Sequence, residues 1–575
     1  MVATTHDFRT KRLPPCQAAC PASVNVQGYI ALLQQGKFKE AVELVRKSIP
    51  FPAICGRVCF SPCEDACARK NIDAPVSIRA LKWVIADIER EQGRVKPEPV
   101  LTARNEKVVV IGAGPAGLTA AYELAKLGYP ITVFESMPEP GGMMQYGMPP
   151  HRLQKYVVAN EIAYIQDLGV EIKTGTEFGE EVNLDSLRNQ GYKAIFIAIG
   201  AQLSRKLGIL GEDIEGVFHA LYLLREVNLG KRPTLGKRVV VIGGGNVAID
   251  VARTALRLGA KVVQLACLES REEMPALEWE IQGALMEGVV INVSWGPKRM
   301  LGDPKKVTGV EFVRCVSVFD ENDRFHPSFD EAVTKVLEAD TVIVAIGQMV
   351  ETSSLPPILL GERGHVISVD SLTLETGIPG VFMGGDIVPG SQNIIEAIGA
   401  GKRAAVSIDR YLNRQDLRIG REEEIEETSW VKDWEKMAKK PERYMAPHID
   451  IGTRKVTFEE IDELILKIKD LAMFEARRCI ECGPCSECLE NEGFCEADKA
   501  IVKETLCIGC NFCVAVCPFS AIEKNEMGVA QVDEYLCKGC GNCAVECPTG
   551  AITLQKSTDA QIVVSVAAAL GGELA

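Results

Sequence analysis

Cysteine is concentrated at the two ends of this 575-residue chain and is almost missing from its centre. Six of the 21 cysteines lie between Cys16 and Cys67, and thirteen lie between Cys479 and Cys547. In a large chain that starts without the apolar segment of a secretory signal, cysteines at such short spacings are typical of metal ligands rather than disulfides. Each end is therefore predicted to form a metal-binding domain, with a region of different character between them.

The central region contains a glycine-rich motif between a predicted strand and a predicted helix. The β-branched run KVVVI stops before Gly112, and Gly114 and Gly117 follow at the spacing G-x-G-x-x-G. Glycine at these positions permits a tight turn, close approach of the backbone to a pyrophosphate, and close packing of helix on strand. Glu135 ends the next predicted strand, where a carboxylate accepts hydrogen bonds from ribose hydroxyls. This context predicts a dinucleotide-binding site.

A second copy of the motif follows at Gly243, Gly245 and Ala248. After it come further strand signals and a GGD segment that ends at Asp386, followed by a predicted helix from about residue 393 to 411. Two such motifs imply two dinucleotides. Because signals of the first domain resume after the second motif, the second nucleotide domain is predicted to be inserted within the first.

Near the C-terminus the spacing C-x2-C-x2-C-x3-C-P occurs twice. This run is typical of bacterial two-cluster ferredoxins, in which three cysteines bind one cluster and the fourth binds the other. Structural zinc is the alternative. The repeated run that ends in proline favours the iron–sulfur clusters, because it is the ferredoxin pattern and zinc sites do not need it. The predicted ligands are Cys507, Cys510, Cys513 and Cys547 for one [4Fe-4S] cluster, and Cys537, Cys540, Cys543 and Cys517 for the other.

Five more cysteines lie just upstream of this pair of motifs. They predict a metal site of their own, and an iron–sulfur cluster is favoured over zinc. Spacing alone leaves open which four of the five bind. The residues are Cys479, Cys482, Cys485, Cys488 and Cys495.

Several segments resemble those of one flavoprotein family, the glutamate synthase small-subunit branch of the FAD/NAD(P)H two-dinucleotide flavoproteins. They are GAGPAG, PGGMMQYGMPPHRL, GGGNVAID, REEMPA and GGD. The same branch includes the large subunit of the bifurcating NADH-dependent ferredoxin:NADP oxidoreductase, so electron bifurcation is one mode that the resemblance implies. The resemblance also implies FAD at Gly112, Gly114, Gly117, Glu135, Gly142 and Asp386, and a nicotinamide dinucleotide at Gly243, Gly245 and Ala248.

The N-terminal cysteines resemble those of the helical iron–sulfur domain of the same branch, which usually holds two [4Fe-4S] clusters. This chain lacks the first C-x2-C pair of that domain, and Lys82 stands where relatives place a carboxylate or amide ligand. We therefore expect one cluster, and Cys16 and Cys67 lie outside its ligand set. A docking domain without metal is the open alternative. The expected ligands are Cys20, Cys55, Cys59 and Cys63.

The identity of the nicotinamide cofactor depends on the end of the strand after the second motif. Relatives that use NADP carry arginines there, whereas this chain has Glu269. A carboxylate favours a free ribose hydroxyl and repels a 2′-phosphate, so NAD(H) is predicted over NADP(H). Arg271 lies nearby and keeps NADP(H) open.

The predicted fold class is α/β, with two nested Rossmann-like dinucleotide-binding domains between an N-terminal α-helical iron–sulfur domain and a C-terminal ferredoxin-like α+β domain. The expected boundaries are 1–100 (helical iron–sulfur domain), 101–235 and 345–412 (FAD-binding domain), 236–344 (NAD(P)-binding domain), 413–470 (charged connector and helix), 471–555 (cysteine-rich segment and ferredoxin domain) and 556–575 (tail).

Composition excludes several functions. A net charge of −14 argues against a nucleic-acid partner, and no apolar run reaches the ~20 residues that a membrane span needs. We expect a cytoplasmic oxidoreductase that needs no catalytic acid or base and passes electrons to ferredoxin or to other redox subunits of a complex. The alternatives are the NADPH-oxidising small subunit of glutamate synthase and a non-enzymatic electron-wire or assembly subunit.

Overall fold

The computed structural model describes most of the chain. The described residues are 11–94, 96–97, 103–179, 182–361, 366–367, 369–388, 390, 392–419, 421, 425–427, 443, 449–460, 469–480, 482, 499–517, 521–525, 527–533, 537 and 542–554. Of the predicted metal ligands, Cys485, Cys488, Cys495 and Cys540 lie outside these residues.

The N-terminal region is helical. Asn25 caps one of its helices by accepting a hydrogen bond from the Gly28 amide at 2.9 Å, and Val26, Tyr29 and Leu33 of that helix face the core. The region contains β1 (Lys11–Leu13), α1 (Pro15–Ala18), α2 (Val26–Gln34), α3 (Phe38–Ser48), α4 (Pro52–Val58), α5 (Pro62–Asp65), a 3₁₀ turn (Ala68–Asn71) and α6 (Ile78–Gln92).

The first nucleotide-binding domain is built on a parallel five-stranded sheet. Its elements are β2 (Lys107–Ile111), α7 (Pro115–Lys126), β3 (Ile131–Phe134), α8 (Met143–Tyr146), α9 (Lys155–Gln166), β4 (Glu171–Lys173), α10 (Leu184–Asn189), β5 (Tyr192–Ile197), β6 (Leu203–Ser204), β15 (Gln348–Met349), a 3₁₀ turn (Pro357–Leu359), β16 (Val381–Met383) and α14 (Ile394–Leu412). The strand order is β16-β5-β2-β3-β4, and β15 pairs with β6. Strands β2, β3, β5 and β16 are largely buried apolar runs, as parallel sheets covered on both faces require, whereas the edge strand β4 is mostly exposed.

The second nucleotide-binding domain interrupts the first, as predicted. Its elements are β7 (Val217–His219), α11 (Ala220–Asn228), β8 (Arg238–Ile242), α12 (Asn246–Arg257), β9 (Val262–Ala266), α13 (Glu278–Glu287), β10 (Val290–Asn292), β11 (Trp295–Asp303), β12 (Lys306–Phe319), β13 (Phe325–Glu338) and β14 (Thr341–Val344). The parallel sheet has the order β10-β9-β8-β14-β7.

Two features of this domain differ from the sequence expectation. The expected boundary at 235/236 lies after β7 and α11, but β7 pairs in parallel with β14 and so belongs to the second sheet. In addition, β11, β12 and β13 form an antiparallel sheet that the motif analysis did not predict. The residues of β13 are mostly exposed, so their sequence carries little of the apolar alternation that marks a half-buried strand.

The C-terminal region contains short elements around the remaining cysteines. They are β17 (Ile425–Glu427), α15 (Ile451–Arg454), α16 (Lys469–Ala476), β18 (Ala500–Val502), a 3₁₀ turn (Glu504–Leu506), α17 (Phe512–Val516), β19 (Ile522–Lys524), β20 (Ala530–Val532), α18 (Asn542–Val545) and β21 (Ile552–Leu554). Strands β18 and β21 pair antiparallel, as do β19 and β20, and β17 pairs in parallel with β1.

Among the residues that the structure describes, no helix is long and apolar enough to cross a bilayer.

Candidate functional site: two nucleotide cavities and the surrounding cysteines

Five of the residues predicted to hold FAD line one cavity: Gly112, Gly114, Glu135, Gly142 and Asp386. The cavity opens where β2, β3 and β16 end, because the carboxyl ends of parallel strands meet at one edge of the sheet. A side chain at Gly112 would lie 2.5 Å from the Ala198 carbonyl oxygen, whereas a Cβ at Gly114 would meet no protein atom within 4 Å. The space in front of Gly114 therefore fits a bound phosphate group.

Gly117 has the packing role that its place in the motif predicts. A Cβ at this position would lie 2.0 Å from the Gly112 carbonyl oxygen, so only glycine lets α7 approach the turn. Gly401 of α14 has a similar role, since its Cβ would lie 2.3 Å from the Ala116 carbonyl oxygen.

Two buried carboxylates border the first cavity. Glu135 accepts hydrogen bonds from the Ala113 amide at 2.8 Å and the Met137 amide at 2.9 Å. Burial raises the pKa of Glu135, although these two amides counteract part of the effect. Burial also raises the pKa of Asp386, to about 6. Both carboxylates can accept hydrogen bonds from the hydroxyl groups of a bound cofactor.

The second motif repeats this geometry at the start of α12. Gly243 has a φ of +138°, and a Cβ there would lie 2.3 Å from the Ala345 carbonyl oxygen. Ala248 is fully buried against the turn. A Cβ at Gly245 would meet no protein atom within 4 Å, so the N-terminus of α12 is open to a ligand phosphate.

Glu269 lies against the second glycine-rich turn. A Cβ built on Gly244 would lie 2.7 Å from a Glu269 carboxylate oxygen. Arg271 is directed to another partner, because its guanidinium contacts both carboxylate oxygens of Glu278 at 2.8 and 2.9 Å. The charged group beside the turn is thus the Glu269 carboxylate, and Arg271 is paired with a carboxylate of α13.

A further cavity connects the two nucleotide-binding domains with the helical domain. Val58 and Phe60, the neighbours of Cys59, line it from the helical side. Sequence reasoning selected neither residue, because it chose only the cysteines of this segment as candidate ligands. The other lining residues include Pro115 and Asp386 of the first nucleotide domain and Asn246 and Asp250 of the second.

Cys507, Cys510, Cys513 and Cys547 line a single small cavity in the C-terminal region. They are the four residues that the ferredoxin spacing assigns to one cluster, and the fold brings the distant Cys547 to the other three. Of the second predicted set, Cys517, Cys537 and Cys543 are described. Ligation by either set remains a prediction.

The N-terminal cysteines are all buried and fall into two neighbourhoods. In the first, the Lys82 ammonium interacts electrostatically with the thiols of the four predicted ligands, Cys59, Cys63, Cys55 and Cys20. Burial would lower the pKa of Lys82, but these four thiols together raise it. The structure therefore brings together the four cysteines that the sequence selects for one cluster.

The second neighbourhood was not expected. The thiol of Cys16 interacts electrostatically with those of Cys482, Cys479, Cys63 and Cys67. Burial raises the pKa of the Cys16 thiol and raises that of Cys482 to about 12. Cys479 and Cys482 thus lie beside N-terminal cysteines, whereas the sequence grouped them with Cys485, Cys488 and Cys495.

Three parts of the sequence match family models. Residues 106–401 match the pyridine nucleotide-disulphide oxidoreductase model. Residues 10–94 match domain II of dihydropyrimidine dehydrogenase with a 4Fe-4S cluster, and residues 506–551 match a 4Fe-4S dicluster domain. The protein is an oxidoreductase of the flavin and pyridine-nucleotide class, with iron–sulfur domains on both sides of its nucleotide-binding core.

Similar proteins show to which group within this class the chain belongs. The NADP(+)-dependent formate dehydrogenase subunit beta of Moorella thermoacetica is 37% identical over 509 residues, which cover 81% of this chain and 70% of the relative. The NADPH-Fe(3+) oxidoreductase subunit beta of Geobacter sulfurreducens is 36% identical, covering 84% and 76%. The small chain of glutamate synthase [NADPH] of Escherichia coli K12 is 33% identical, covering 69% and 89%. The chain belongs to the pyridine nucleotide-disulphide oxidoreductase family, within the glutamate synthase small-chain-like group.

Proposed function

We propose that this chain passes electrons between a nicotinamide dinucleotide, FAD and iron–sulfur clusters, and on to a ferredoxin or a redox subunit of a larger complex. The observation that carries the proposal is the cavity shared by the three domains. Pro115 and Asp386 of the first nucleotide domain, Asn246 of the second, and Val58 and Phe60 beside Cys59 all line it. A flavin and a nicotinamide that met there would lie next to the first cysteine group.

The chain's own residues contribute binding and position rather than acid–base chemistry. Gly114 and Gly245 leave the backbone open to phosphate groups, and Asp386 offers a buried carboxylate to the cofactor. FAD, when bound, supplies the exchange between a two-electron hydride and single electrons. Oxidation of one NAD(P)H to NAD(P)⁺ would release one proton and two electrons, and two bound clusters could each accept one of these electrons.

The proposed cofactor is NAD(H) in preference to NADP(H). The names of the three relatives specify NADP(+) or NADPH, and the proposal departs from them because of the Glu269 carboxylate beside the second turn. A carboxylate there repels a 2′-phosphate, and Arg271 is already paired with Glu278.

The C-terminal region is the proposed site at which electrons leave the chain. Its two-cluster ferredoxin match at residues 506–551 is the part that a partner subunit or ferredoxin would contact. Two of the relatives are named as subunits beta of larger enzymes. The glutamate synthase small chain is the second candidate function, since its match covers 69% of this chain. The additional dicluster domain favours the first.

Anaerobic titration of the purified chain with NADH, and separately with NADPH, tests the proposal. Visible absorbance follows the flavin, and low-temperature EPR follows the clusters. We expect NADH to bleach the flavin at much lower concentration than NADPH, with cluster signals appearing as bleaching proceeds. Preference for NADPH would overturn the cofactor proposal alone. If neither nucleotide bleaches the flavin, the enzymatic proposal fails, and the electron-wire alternative takes its place.

A further inference from the structure

Helix α16 brings the C-terminal cysteine segment onto the N-terminal helical domain. The Gln34 side-chain amide donates to the Ala476 carbonyl oxygen at 2.9 Å, and the Ser77 amide donates to the Glu475 carboxylate at 2.9 Å. Arg69 donates to the Arg478 carbonyl oxygen at 3.1 Å. These contacts fix the backbone immediately before Cys479.

Arg478 is the central residue of this contact. Its side chain is about 1% exposed, and its guanidinium pairs with Glu475 at 2.8 Å and with Asp73 at 2.9 Å. It also donates to the Ala74 carbonyl oxygen at 2.6 Å. A buried arginine with this many partners holds its backbone position firmly, because losing any partner would leave a charge unsatisfied in the interior.

Cys482 continues the contact three residues after Cys479. The Gln27 side-chain amide donates to the Cys482 carbonyl oxygen and lies 3.8 Å from the Cys482 sulfur. The backbone amide of Ala68, which follows Cys67, also faces the Cys482 thiol. Cys482 is 6% exposed, so its sulfur is enclosed by the helical domain.

Four thiols at this contact therefore interact electrostatically with one another: Cys16 and Cys67 from the helical domain, and Cys479 and Cys482 from the C-terminal segment. Two of the C-x3-C pairs of the helical domain, Cys16/Cys20 and Cys63/Cys67, link the two neighbourhoods. Cys16 and Cys67 face this one and Cys20 faces Lys82, whereas Cys63 interacts with both Lys82 and Cys16. A two-cluster ferredoxin likewise divides the cysteines of one motif between two clusters, with the cysteine after the x3 spacing binding the second.

We infer that Cys16, Cys67, Cys479 and Cys482 form a [4Fe-4S] cluster site, with two ligands from each end of the chain. The C-x2-C spacing of Cys479 and Cys482 suits two adjacent ligands of one cluster. Four cysteines could also bind one tetrahedral zinc ion, so metal analysis is needed to distinguish zinc from a cluster.

This site extends the proposed electron relay without depending on it. It gives the helical domain a second cluster next to the one predicted at Cys20, Cys55, Cys59 and Cys63. It also joins the helical domain to the segment that leads into the C-terminal ferredoxin domain. Electrons from the cavity shared by the three domains would then have cluster sites along the path toward the partner.

The test measures iron and acid-labile sulfide per flavin in the full-length chain reconstituted anaerobically, with Mössbauer and EPR spectra after dithionite reduction. Dithionite replaces the nucleotide, so the result does not depend on NAD(P)H oxidation. With two clusters in each terminal part, we expect roughly 16 iron atoms per chain. Cys67→Ala and Cys482→Ala should each lose about four iron atoms.

The double variant Cys67→Ala/Cys482→Ala tests directly whether both residues bind the same cluster. If both residues bind one cluster, it loses the same four or so iron atoms as either single variant. A loss of about eight would overturn the proposal, because the two cysteines would then serve different clusters. Full iron content in Cys67→Ala, or stoichiometric zinc in the wild-type site, would also overturn it.

Two controls separate loss of a cluster from loss of the fold. Cys315→Ala removes a buried cysteine of the second nucleotide domain and should change neither iron nor flavin content. Cys59→Ala removes a ligand of the neighbouring predicted cluster. In a variant that carries both Cys59→Ala and Cys482→Ala, the two iron losses should add. Flavin content near one per chain in every variant shows that the nucleotide domains are folded.

Discussion

At the scale of single residues, the role of a charged side chain depends on where it lies relative to a glycine-rich turn. Glu135 directly follows β3 and Glu269 lies three residues after the end of β9, and the sequence predicted a carboxylate near the end of both strands. The structure adds their surroundings: two backbone amides bond to Glu135, whereas Glu269 lies against Gly244. It also shows that Arg271, which the sequence left available to a phosphate, is paired with Glu278.

We predict that Glu269→Gln shifts nucleotide preference toward NADPH. Removing the carboxylate removes repulsion of the 2′-phosphate, and we expect the ratio of kcat/KM for NADH to that for NADPH to fall about tenfold, or ~1.4 kcal/mol. Steady-state reduction of an artificial acceptor measures both constants. Glu272→Gln, in the same loop, is the matched control and should leave the ratio unchanged. An unchanged ratio in Glu269→Gln would contradict the role of this residue.

At the scale of elements, the two strand–turn–helix units have similar geometry, so the effect of the same substitution can be compared between them. The first runs from β2 into α7 and the second from β8 into α12, and each has a middle glycine with open space in front of it. Both middle glycines have negative φ values, −80° at Gly114 and −90° at Gly245. Alanine can adopt these angles without strain.

We predict that Gly114→Ala removes FAD while Gly245→Ala leaves it bound. Each added methyl group meets no protein atom within 4 Å, so each should leave the fold intact and collide only with the bound nucleotide. Gly114→Ala should purify with at least tenfold less flavin. Gly245→Ala should keep its flavin and show a raised KM for the nicotinamide nucleotide. Equal flavin loss in both variants would show that the two sites are not separate in function.

At the scale of the whole molecule, a buried network of arginines and glutamates joins three parts of the chain. Glu287 of α13 contacts Arg253 at 2.9 Å and Arg257 at 2.7 Å, both on α12. It also contacts Arg454 of α15 at 2.7 Å. Arg152 of the first nucleotide domain reaches the same network through Glu280 at 2.8 Å. These pairs connect both nucleotide domains with the segment that follows them.

We predict that Glu287→Gln destabilises the chain by about 3–5 kcal/mol, because it leaves buried arginines without their counter-charge. Denaturant unfolding followed by circular dichroism and flavin release measures the change. Glu331→Gln, which removes an exposed pair with Lys298, is the control and should cost less than ~1 kcal/mol. Equal effects of the two substitutions would mean that the buried network contributes no special stability.

The same network predicts a dependence of stability on pH. Burial alone would raise the pKa of Glu287, but hydrogen bonds and charge from Arg257 and Arg253 outweigh it and lower the pKa from 4.5 to about 2. A carboxylate with a lowered pKa stabilises the fold above its unfolded value, and this stability is lost as pH falls from about 4.5 toward 2. The difference in stability between wild type and Glu287→Gln should therefore shrink across this range. A constant difference would contradict the assignment.

The sequence by itself determined the nucleotide motifs, the nested domains and the two ferredoxin runs. These features depend on residues close together in the chain, where glycine conformation, strand periodicity and C-x2-C spacing act locally. Only the tertiary structure decided which distant residues meet. It grouped Cys16 and Cys67 with Cys479 and Cys482, and placed Val58 and Phe60 at the cavity shared with both nucleotide domains. The reason is physical: packing of helices such as α16 on α2 sets these contacts, and no short-range pattern encodes them.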